Sequence, residues 1–280
     1  MSVSLAEFCT IADRLWPPDG AEEWDAPGLV CGDPAAEVSS VLLAVDAVPA
    51  TVEEATAGSH DLLLTHHPLL LRGVKSIAED RYKGRVLAAA IRGGLAILAA
   101  HTNADIVRSG TSAVLAAVLG LEDTRPILPA HGPEPRASGL GRVGRLPSAE
   151  GLRHLATRLA RALPATAGGV RVAGEPEAQI RVVSLCAGAG DSLLSEPAVL
   201  ASDVYITSDL RHHPASEARE QARLAGGPAL IDVSHWAAES LWLAGAAEEL
   251  RRAVPGLRVA VSTLRTDPWD FTVESGGQRR

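Results

Sequence analysis

The chain has 280 residues, 46% of them hydrophobic, which is sufficient for one large or two modest folded domains. Its formal net charge of −8 provides no basic surface for nucleic acid as a main partner. The three cysteines form no close pair, the N-terminus lacks a signal-peptide pattern, and no apolar run is long enough to span a membrane. We therefore expect a cytoplasmic protein without a membrane partner.

In chain order, the apolar pattern predicts strands that alternate with helices. An opening helix at 4–15 has apolar residues at helical spacing and stops before Pro17 and Pro18. Strands are predicted at 40–46, 60–65, 95–100, 180–186, 203–207 and 228–232. Further helices are predicted at 50–57, 82–93, 111–120, 149–163, 191–200, 214–224 and 236–253. This alternation is typical of an α/β fold with mixed sheets covered by helices.

The segment 121–142 is the predicted crossing between two halves of the chain. It contains four prolines and several glycines, and it has no apolar period. We therefore predict an N-terminal α/β half over 1–125 and a C-terminal α/β half over 126–280.

Several predicted strands end in side chains that can bind metal. The first candidates are His66 and His67, which follow the strand at 60–65, and His101 follows the strand at 95–100. The strand at 203–207 leads to Asp209, and the strand at 228–232 leads to His235. In open α/β sheets, ligands bind beyond the carboxyl ends of the strands, so we expect one shared site.

The adjacent histidines His66 and His67 favour two neighbouring metal ions over one. Successive side chains leave an extended backbone in different directions, and a single ion cannot easily bind both rings. Asp105 and Glu239 are the carboxylates available to cap or bridge the ions, and His235 shares a helix face with Glu239. This mixed set of nitrogen and oxygen ligands suits Zn, Fe, Mn, Co or Ni, and the implied chemistry is hydrolytic.

Other readings stay open for individual residues. A His and a Glu four residues apart also form ordinary surface ion pairs, and a turn before proline also accepts solvated histidines. His101 fits a ligand, a donor behind the ligands or a structural histidine equally well. The remaining polar residues at strand ends are predicted to line the pocket or contact a substrate: Asp209, Arg211, His212 and His213.

Five motifs taken together resemble one known family. They are Trp24 to Gly32, Thr65 to Pro68, His101 to Asp105, Thr207 to His213, and Ser234 to Glu239. In order and spacing they are similar to the GTP cyclohydrolase 1 type 2 homologues, also called NGG-interacting-factor-three-like proteins.

The resemblance implies two related α/β halves with two divalent metal ions between them, and a toroidal homohexamer. It also implies the ligands, with Glu239 as the bridge: His66 and Asp105 in the N-terminal half, His67 beside them, and His235 and Glu239 in the C-terminal half. Longer family members carry an inserted middle domain, which this chain is expected to lack because its crossing at 121–142 is short.

The resemblance further implies metal-dependent hydrolysis of GTP. Activated water would attack C8 of the guanine ring, Arg211 would help to hold the nucleotide, and no catalytic side chain is assigned beyond the metal ligands. Two alternatives stay open. One is a non-enzymatic protein that carries, inserts or senses metal, and the other is a phosphoesterase acting on another nucleotide or metabolite. All three require the same five ligands.

Overall fold

The computed structural model describes residues 2–130 and 138–273, which form a mixed α/β protein with two compact units. The first unit contains residues 2–114, 128–130, 138–140 and Glu239–Thr266. The second contains Leu115–Ile127, Gly141–Ala238 and residues 267–273. The predicted single boundary after residue 125 differs from this division, because the chain returns to the first unit at Glu239. Residues 131–137 of the predicted crossing lie outside the described part.

The elements of the described residues are as follows. The helices are α1 (Leu5–Leu15), α2 (Pro49–Ala57), α3 (Tyr82–Arg92), α4 (Thr102–Asp105), α5 (Thr111–Val118), α6 (Leu152–Ala162), α7 (Pro197–Leu200), α8 (His212–Ala225), α9 (His235–Ser240) and α10 (Trp242–Ala253). The strands are β1 (Val3–Ser4), β2 (Gly28–Cys31), β3 (Glu37–Val38), β4 (Ser40–Ala44), β5 (Leu62–Thr65), β6 (Ala96–Ala99), β7 (Glu122–Arg125), β8 (Leu128–Pro129), β9 (Gly139–Leu140), β10 (Arg142–Gly151), β11 (Arg171–Ala173), β12 (Gln179–Ala189), β13 (Val204–Ser208), β14 (Ala229–Val233) and β15 (Arg258–Val261).

The six strands predicted from sequence are confirmed as β4, β5, β6, β12, β13 and β14. The helix predicted at 191–200 is replaced by a 3-10 turn at Asp191–Leu193 and the short α7, because Pro197 disfavours helical backbone in the residue before it. The helix predicted at 236–253 is divided into α9 and α10. The long strand β10 was missed, since its pairing with β12 overrides a local sequence that contains glycine and proline.

The first unit is built on a five-stranded sheet in the order β15-β4-β5-β6-β2. Strands β15, β4, β5 and β6 are parallel, and β2 joins β6 antiparallel. Leu62, Leu63 and Leu64 are all fully buried, as expected for a parallel strand with both faces covered. Ala44, Thr65 and Ala99 pair across the sheet, so three neighbouring strands end level with one another.

Helix α1 shows how the sequence directs the packing of this unit. The side chain of Ser4 accepts a hydrogen bond from the backbone N–H of Glu7 at 3.2 Å and caps the helix. The apolar face buries Leu5, Phe8 and Ile11. These buried residues are three positions apart, which is the spacing expected of the apolar face of an amphipathic helix.

The second unit contains a six-stranded sheet in the order β11-β14-β13-β12-β10-β7. Its central strands β12, β13 and β14 are parallel, and the outer strands are antiparallel to their neighbours. Ser208 pairs with Val233, so β13 and β14 end level with each other. Across the described ranges, no helix has the length and apolar character needed to cross a bilayer.

Candidate metal centre

In the first unit, the carboxyl ends of β4, β5 and β6 bring polar residues to one edge of the sheet. Asp46 follows β4, His66 and His67 follow β5, and His101 follows β6 and precedes the short helix α4. Asp105 is the last residue of α4. The parallel order of the strands thus explains why segments far apart in sequence present these side chains together.

Glu239 adds a buried carboxylate to this cluster from helix α9. Its Oε1 lies 3.5 Å from Nε2 of His66, and its Oε2 lies 2.8 Å from Nε2 of His67. Oδ1 of Asp105 lies 3.6 Å from the same Nε2 of His66. The two oxygens of Glu239 therefore face two different imidazole rings.

Each imidazole in the cluster is held through its Nδ1 atom. Nδ1 of His66 is 2.9 Å from the carbonyl oxygen of Ala100, and Nδ1 of His67 is 2.7 Å from Oδ1 of Asp46. Nδ1 of His101 is 2.7 Å from Oδ1 of Asp25. Hydrogen bonds of this kind commonly orient metal-binding histidines, because they leave Nε2 for the ion.

Asp25 and Asp46 are functional candidates that the sequence analysis missed. Asp46 lies two residues after the end of β4, and this position was the available signal, although one acid after one strand is weak evidence alone. Asp25 lies in the Trp24 to Gly32 motif, but nothing in its sequence position shows that it contacts His101. Burial acts to raise the pKa of Asp25, yet hydrogen bonds from His101 and Thr102 outweigh it and hold that pKa below its usual value.

The donor geometry around His66 fits a metal ion. Its Nε2 is buried and has no hydrogen-bond partner among the described residues, although carboxylate oxygens lie 3.5 and 3.6 Å away. Two ligand atoms that hold one zinc ion at about 2.1 Å in tetrahedral geometry are about 3.4 Å apart. Separations of this size suit ligands of a common ion better than a direct hydrogen bond. The cluster of His66, His67 and His101, with the carboxylate of Glu239 beside the two adjacent histidines, could therefore hold a metal ion.

The electrostatics of the cluster show two opposing effects on each imidazole. Burial disfavours a charged ring on His67, but the carboxylates of Glu239 and Asp46 outweigh it and raise the pKa of His67 to about 10. The pKa of His66 is also raised, since Glu239 and Asp105 outweigh burial. Burial raises the pKa of Asp105, and His66 only partly offsets this. The buried carboxylates therefore favour positive charge at the centre, which protons or a cation can supply.

His235 lies at the start of α9, one helical turn before Glu239. In the second unit, its Nδ1 is 2.7 Å from Oδ2 of Asp209, which follows the level end of β13. Asp209 adopts a left-handed backbone with φ of 57°. An Nδ1 atom therefore faces a carboxylate again at His235, which follows the strand predicted at 228–232.

The other predicted pocket residues lie on the second unit. Arg211 forms an ion pair with Asp191 at 2.6 Å and is largely exposed. His212 and His213 open helix α8, with ring centroids 5.3 Å apart, and both are exposed. Their predicted roles in binding a substrate stay predictions.

Comparison with known proteins settles the family. A sequence model of the family described as Duf34/NIF3 (NGG1p interacting factor 3) matches residues 3–268. This chain belongs to the DUF34/NIF3 family. The resemblance inferred from the five motifs is thereby confirmed.

Relatives of this DUF34/NIF3 chain are similar over nearly its full length. A Streptomyces coelicolor protein named GTP cyclohydrolase 1 type 2 homolog is 46% identical over 275 residues, which cover 97% of this chain and 95% of that relative. A Mycobacterium tuberculosis protein of the same name is 35% identical over an alignment of 381 positions that covers 99% of both chains. Because that alignment is longer than this chain, the mycobacterial protein carries residues without a counterpart here.

Solved structures support the fold of this family member. A Bacillus cereus protein related to NIF3 has a TM-score of 0.87 at 21% identity, covering 96% of this chain and 99% of that one. A Staphylococcus aureus protein has a TM-score of 0.86 at 25% identity, with the same coverage of the two chains. The α/β architecture is therefore shared with these proteins.

Proposed function

We propose that this protein binds two divalent metal ions and uses them to hydrolyse a nucleotide. The observation that carries the proposal is the buried Nε2 of His66, which faces carboxylate oxygens of Glu239 and Asp105 at 3.5 and 3.6 Å. GTP is the first substrate to test, because the similar Streptomyces and Mycobacterium proteins are named GTP cyclohydrolase 1 type 2 homolog.

Two ions are proposed because the oxygens of Glu239 face different rings. Oε1 faces His66 and Oε2 faces His67, so Glu239 would offer one oxygen on the side of each imidazole. The proposed ligands are His66, His67, Asp105, His235 and Glu239. Imidazole and carboxylate donors together suit Zn, Fe, Mn, Co or Ni.

The residues of the centre would prepare it for an anionic substrate. When bound, the metal ions supply Lewis acidity and lower the pKa of water. Two dications against the carboxylates of Asp105 and Glu239 leave a net positive charge, which favours the phosphates of a nucleotide. Asp46 and Asp25 would keep the imidazoles of His67 and His101 in a fixed orientation through their Nδ1 atoms.

The test is turnover of GTP by protein reconstituted in turn with Zn, Mn, Fe, Co and Ni, with products analysed by mass spectrometry. Glu239→Gln preserves size but removes the charge that would bridge the ions, so we expect it to abolish turnover and lower the bound metal. Glu248→Gln is the matched control, because Glu248 is an exposed partner of Arg251.

Ring-opened or deformylated product that disappears in Glu239→Gln and persists in Glu248→Gln would support the proposal. Release of phosphate alone would replace it with phosphoesterase activity. Protein that holds two ions per chain and converts no GTP with any metal would contradict GTP hydrolysis and leave metal handling as the function to test.

A further inference from the structure

Trp24 lies beside the proposed metal centre with most of its side chain exposed. Its exposed fraction is 60%, and its ring centroid is 5.9 Å from that of His101 with the planes at 79°. The ring of His101 lies in turn 5.2 Å from His66 and 5.5 Å from His67. A single imidazole therefore separates the indole from two proposed ligands.

The backbone that carries Trp24 is anchored on both sides. The N–H of Asp25 donates to the carbonyl of Glu22 at 3.0 Å, which closes a four-residue turn with Trp24 at its third position. The N–H of Glu22 donates to Oγ1 of Thr102 at 3.0 Å. These bonds fix one side of the turn to the start of helix α4.

The buried carboxylate of Asp25 anchors the other side. It accepts hydrogen bonds from Nδ1 of His101 at 2.7 Å and from the backbone N–H of Thr102 at 3.0 Å. The indole is thus presented from a backbone that is already ordered. Binding through it would cost little additional conformational entropy.

The exposure of Trp24 indicates a role other than core packing. The first unit buries two other tryptophans, Trp16 and Trp242, to 1% and 0% exposure, and they pack against each other. Small-molecule sites are lined mainly by apolar and aromatic side chains with a few placed polar groups, and Trp24 supplies an aromatic ring beside the polar centre. A ring held edge-to-face against one neighbour still has surface available for stacking.

The charges around Trp24 favour the ring of a ligand over its phosphates. Glu22 and Glu23 precede Trp24 and are both exposed. Their carboxylates repel phosphate, while they can accept hydrogen bonds from the N–H groups of a heteroaromatic ring. The surface around Trp24 thus disfavours phosphate, whereas a metal-loaded centre would attract it.

We propose that Trp24 is the platform on which the planar heteroaromatic ring of the ligand stacks beside the metal centre. The inference rests on the proposed nucleotide-binding function and extends it, because it assigns recognition of the base to one residue. Ligands with a purine-like ring would then bind better than the same phosphates without a ring.

The test compares binding of GTP and ribose 5-triphosphate, which lacks the base, to the metal-loaded protein, measured by rapid mixing before any GTP is converted. Stacking of a base on an aromatic side chain is worth about 1–3 kcal/mol, so Trp24→Ala should weaken GTP binding about 5-fold to 150-fold. Binding of ribose 5-triphosphate should change less than about two-fold, since the phosphates do not stack. Trp24→Phe should retain part of the GTP affinity.

Trp269→Ala is the matched control, because it removes an indole of similar exposure, 68%, from a segment outside the Trp24 turn. It should leave the binding of both ligands unchanged. If Trp24→Ala lowered the affinity for both ligands equally, or for neither, the proposed stacking platform would be overturned. Wild-type protein that binds the two ligands equally, or binds neither, would also overturn it.

Binding and turnover separate this inference from the proposed hydrolysis. Base-dependent loss in Trp24→Ala, in a protein that converts no GTP, would support the platform and reject the hydrolysis. Unchanged GTP affinity in Trp24→Ala, in a protein that converts GTP, would reject the platform alone. Bound metal and thermal melting of each variant would show that the centre and fold are preserved.

Discussion

At the scale of single residues, the hydrogen bonds on Nδ1 distinguish the centre from a chance group of histidines. Asp46 holds His67 and Asp25 holds His101, each at 2.7 Å. A carboxylate in this position fixes the ring and increases its basicity toward a metal ion. The acids behind the rings therefore matter to the centre even though they are not among its proposed ligands.

Replacement of Asp46 by Asn tests this role. The variant keeps the shape of the side chain but loses the charge that supports His67, so metal affinity should fall about 10-fold to 100-fold. Competition with a chelator of known affinity would measure the change. Asp33→Asn is the control, since Asp33 is exposed and its carboxylate accepts a hydrogen bond from the N–H of Ala35. Equal affinity of the Asp46 variant and wild type would show that the pair does not act on the metal.

At the scale of elements, the sheet of the first unit depends on close approach at the end of β2. Gly32 follows this strand with φ of 138°, in the range that favours glycine. A Cβ at this position would lie 2.7 Å from Cδ2 of Leu5 and 2.7 Å from Cβ of Ala96. The contact between α1 and the start of β6 therefore requires glycine.

Gly32→Ala should lower the free energy of unfolding by about 1–3 kcal/mol, because it adds both backbone strain and overlap. Gly245→Ala is the contrasting variant. Gly245 lies within α10, and an added Cβ would meet no described atom within 4 Å outside the backbone of its own helix and its chain neighbours, so alanine should stabilise the helix by about 0.5–1 kcal/mol. Urea denaturation of both variants measures the two effects. Similar changes in the free energy of unfolding of both variants would show that position 32 does not require glycine.

At the scale of the whole molecule, the candidate metal centre forms only in the folded chain. His66 and Glu239 come from distant parts of the sequence, and their carboxylate and imidazole meet after the first unit has assembled. Metal binding should therefore be coupled to folding, and a bound ion should stabilise the native state by mass action. The homohexamer stays a prediction, which light scattering of the purified protein can test.

Metal affinity should rise with pH across the neutral range. The pKa of His67 is raised from 6.5 to about 10, so its ring keeps a proton at neutral pH that a metal ion must displace. Binding therefore releases protons, and acid opposes binding. Calorimetry in two buffers of different ionisation enthalpy measures the number released, which should decrease in His67→Gln. The same affinity at all neutral pH values would contradict this proton competition.

The same shift predicts how His67 affects stability after metal is removed. Its folded pKa lies above its unfolded value, so its stabilising contribution is complete below about pH 6.5 and is lost as the pH rises toward 10. Bound metal would remove this dependence by replacing the proton.

The amino-acid sequence by itself determined much of the first unit. Uninterrupted apolar runs predicted β4, β5 and β6, since strands buried on both faces must be apolar throughout. The residues after these runs identified His66, His67, His101 and Asp105 as candidates for the centre. The weak points were β10, whose hydrogen bonds depend on a partner strand, and α7, where Pro197 shortened the predicted helix.

Only the tertiary structure decided which residues support the centre. Asp25 reaches His101 from a loop 76 positions earlier, and Asp46 reaches His67 across 21 positions. In the tertiary structure Glu239 also lies in the first unit, whereas the predicted boundary after residue 125 assigned it to the C-terminal half. Local sequence patterns indicate whether a segment is buried and whether it forms a helix or a strand. Contacts between distant segments depend on strand order and register, which are fixed when the sheet assembles.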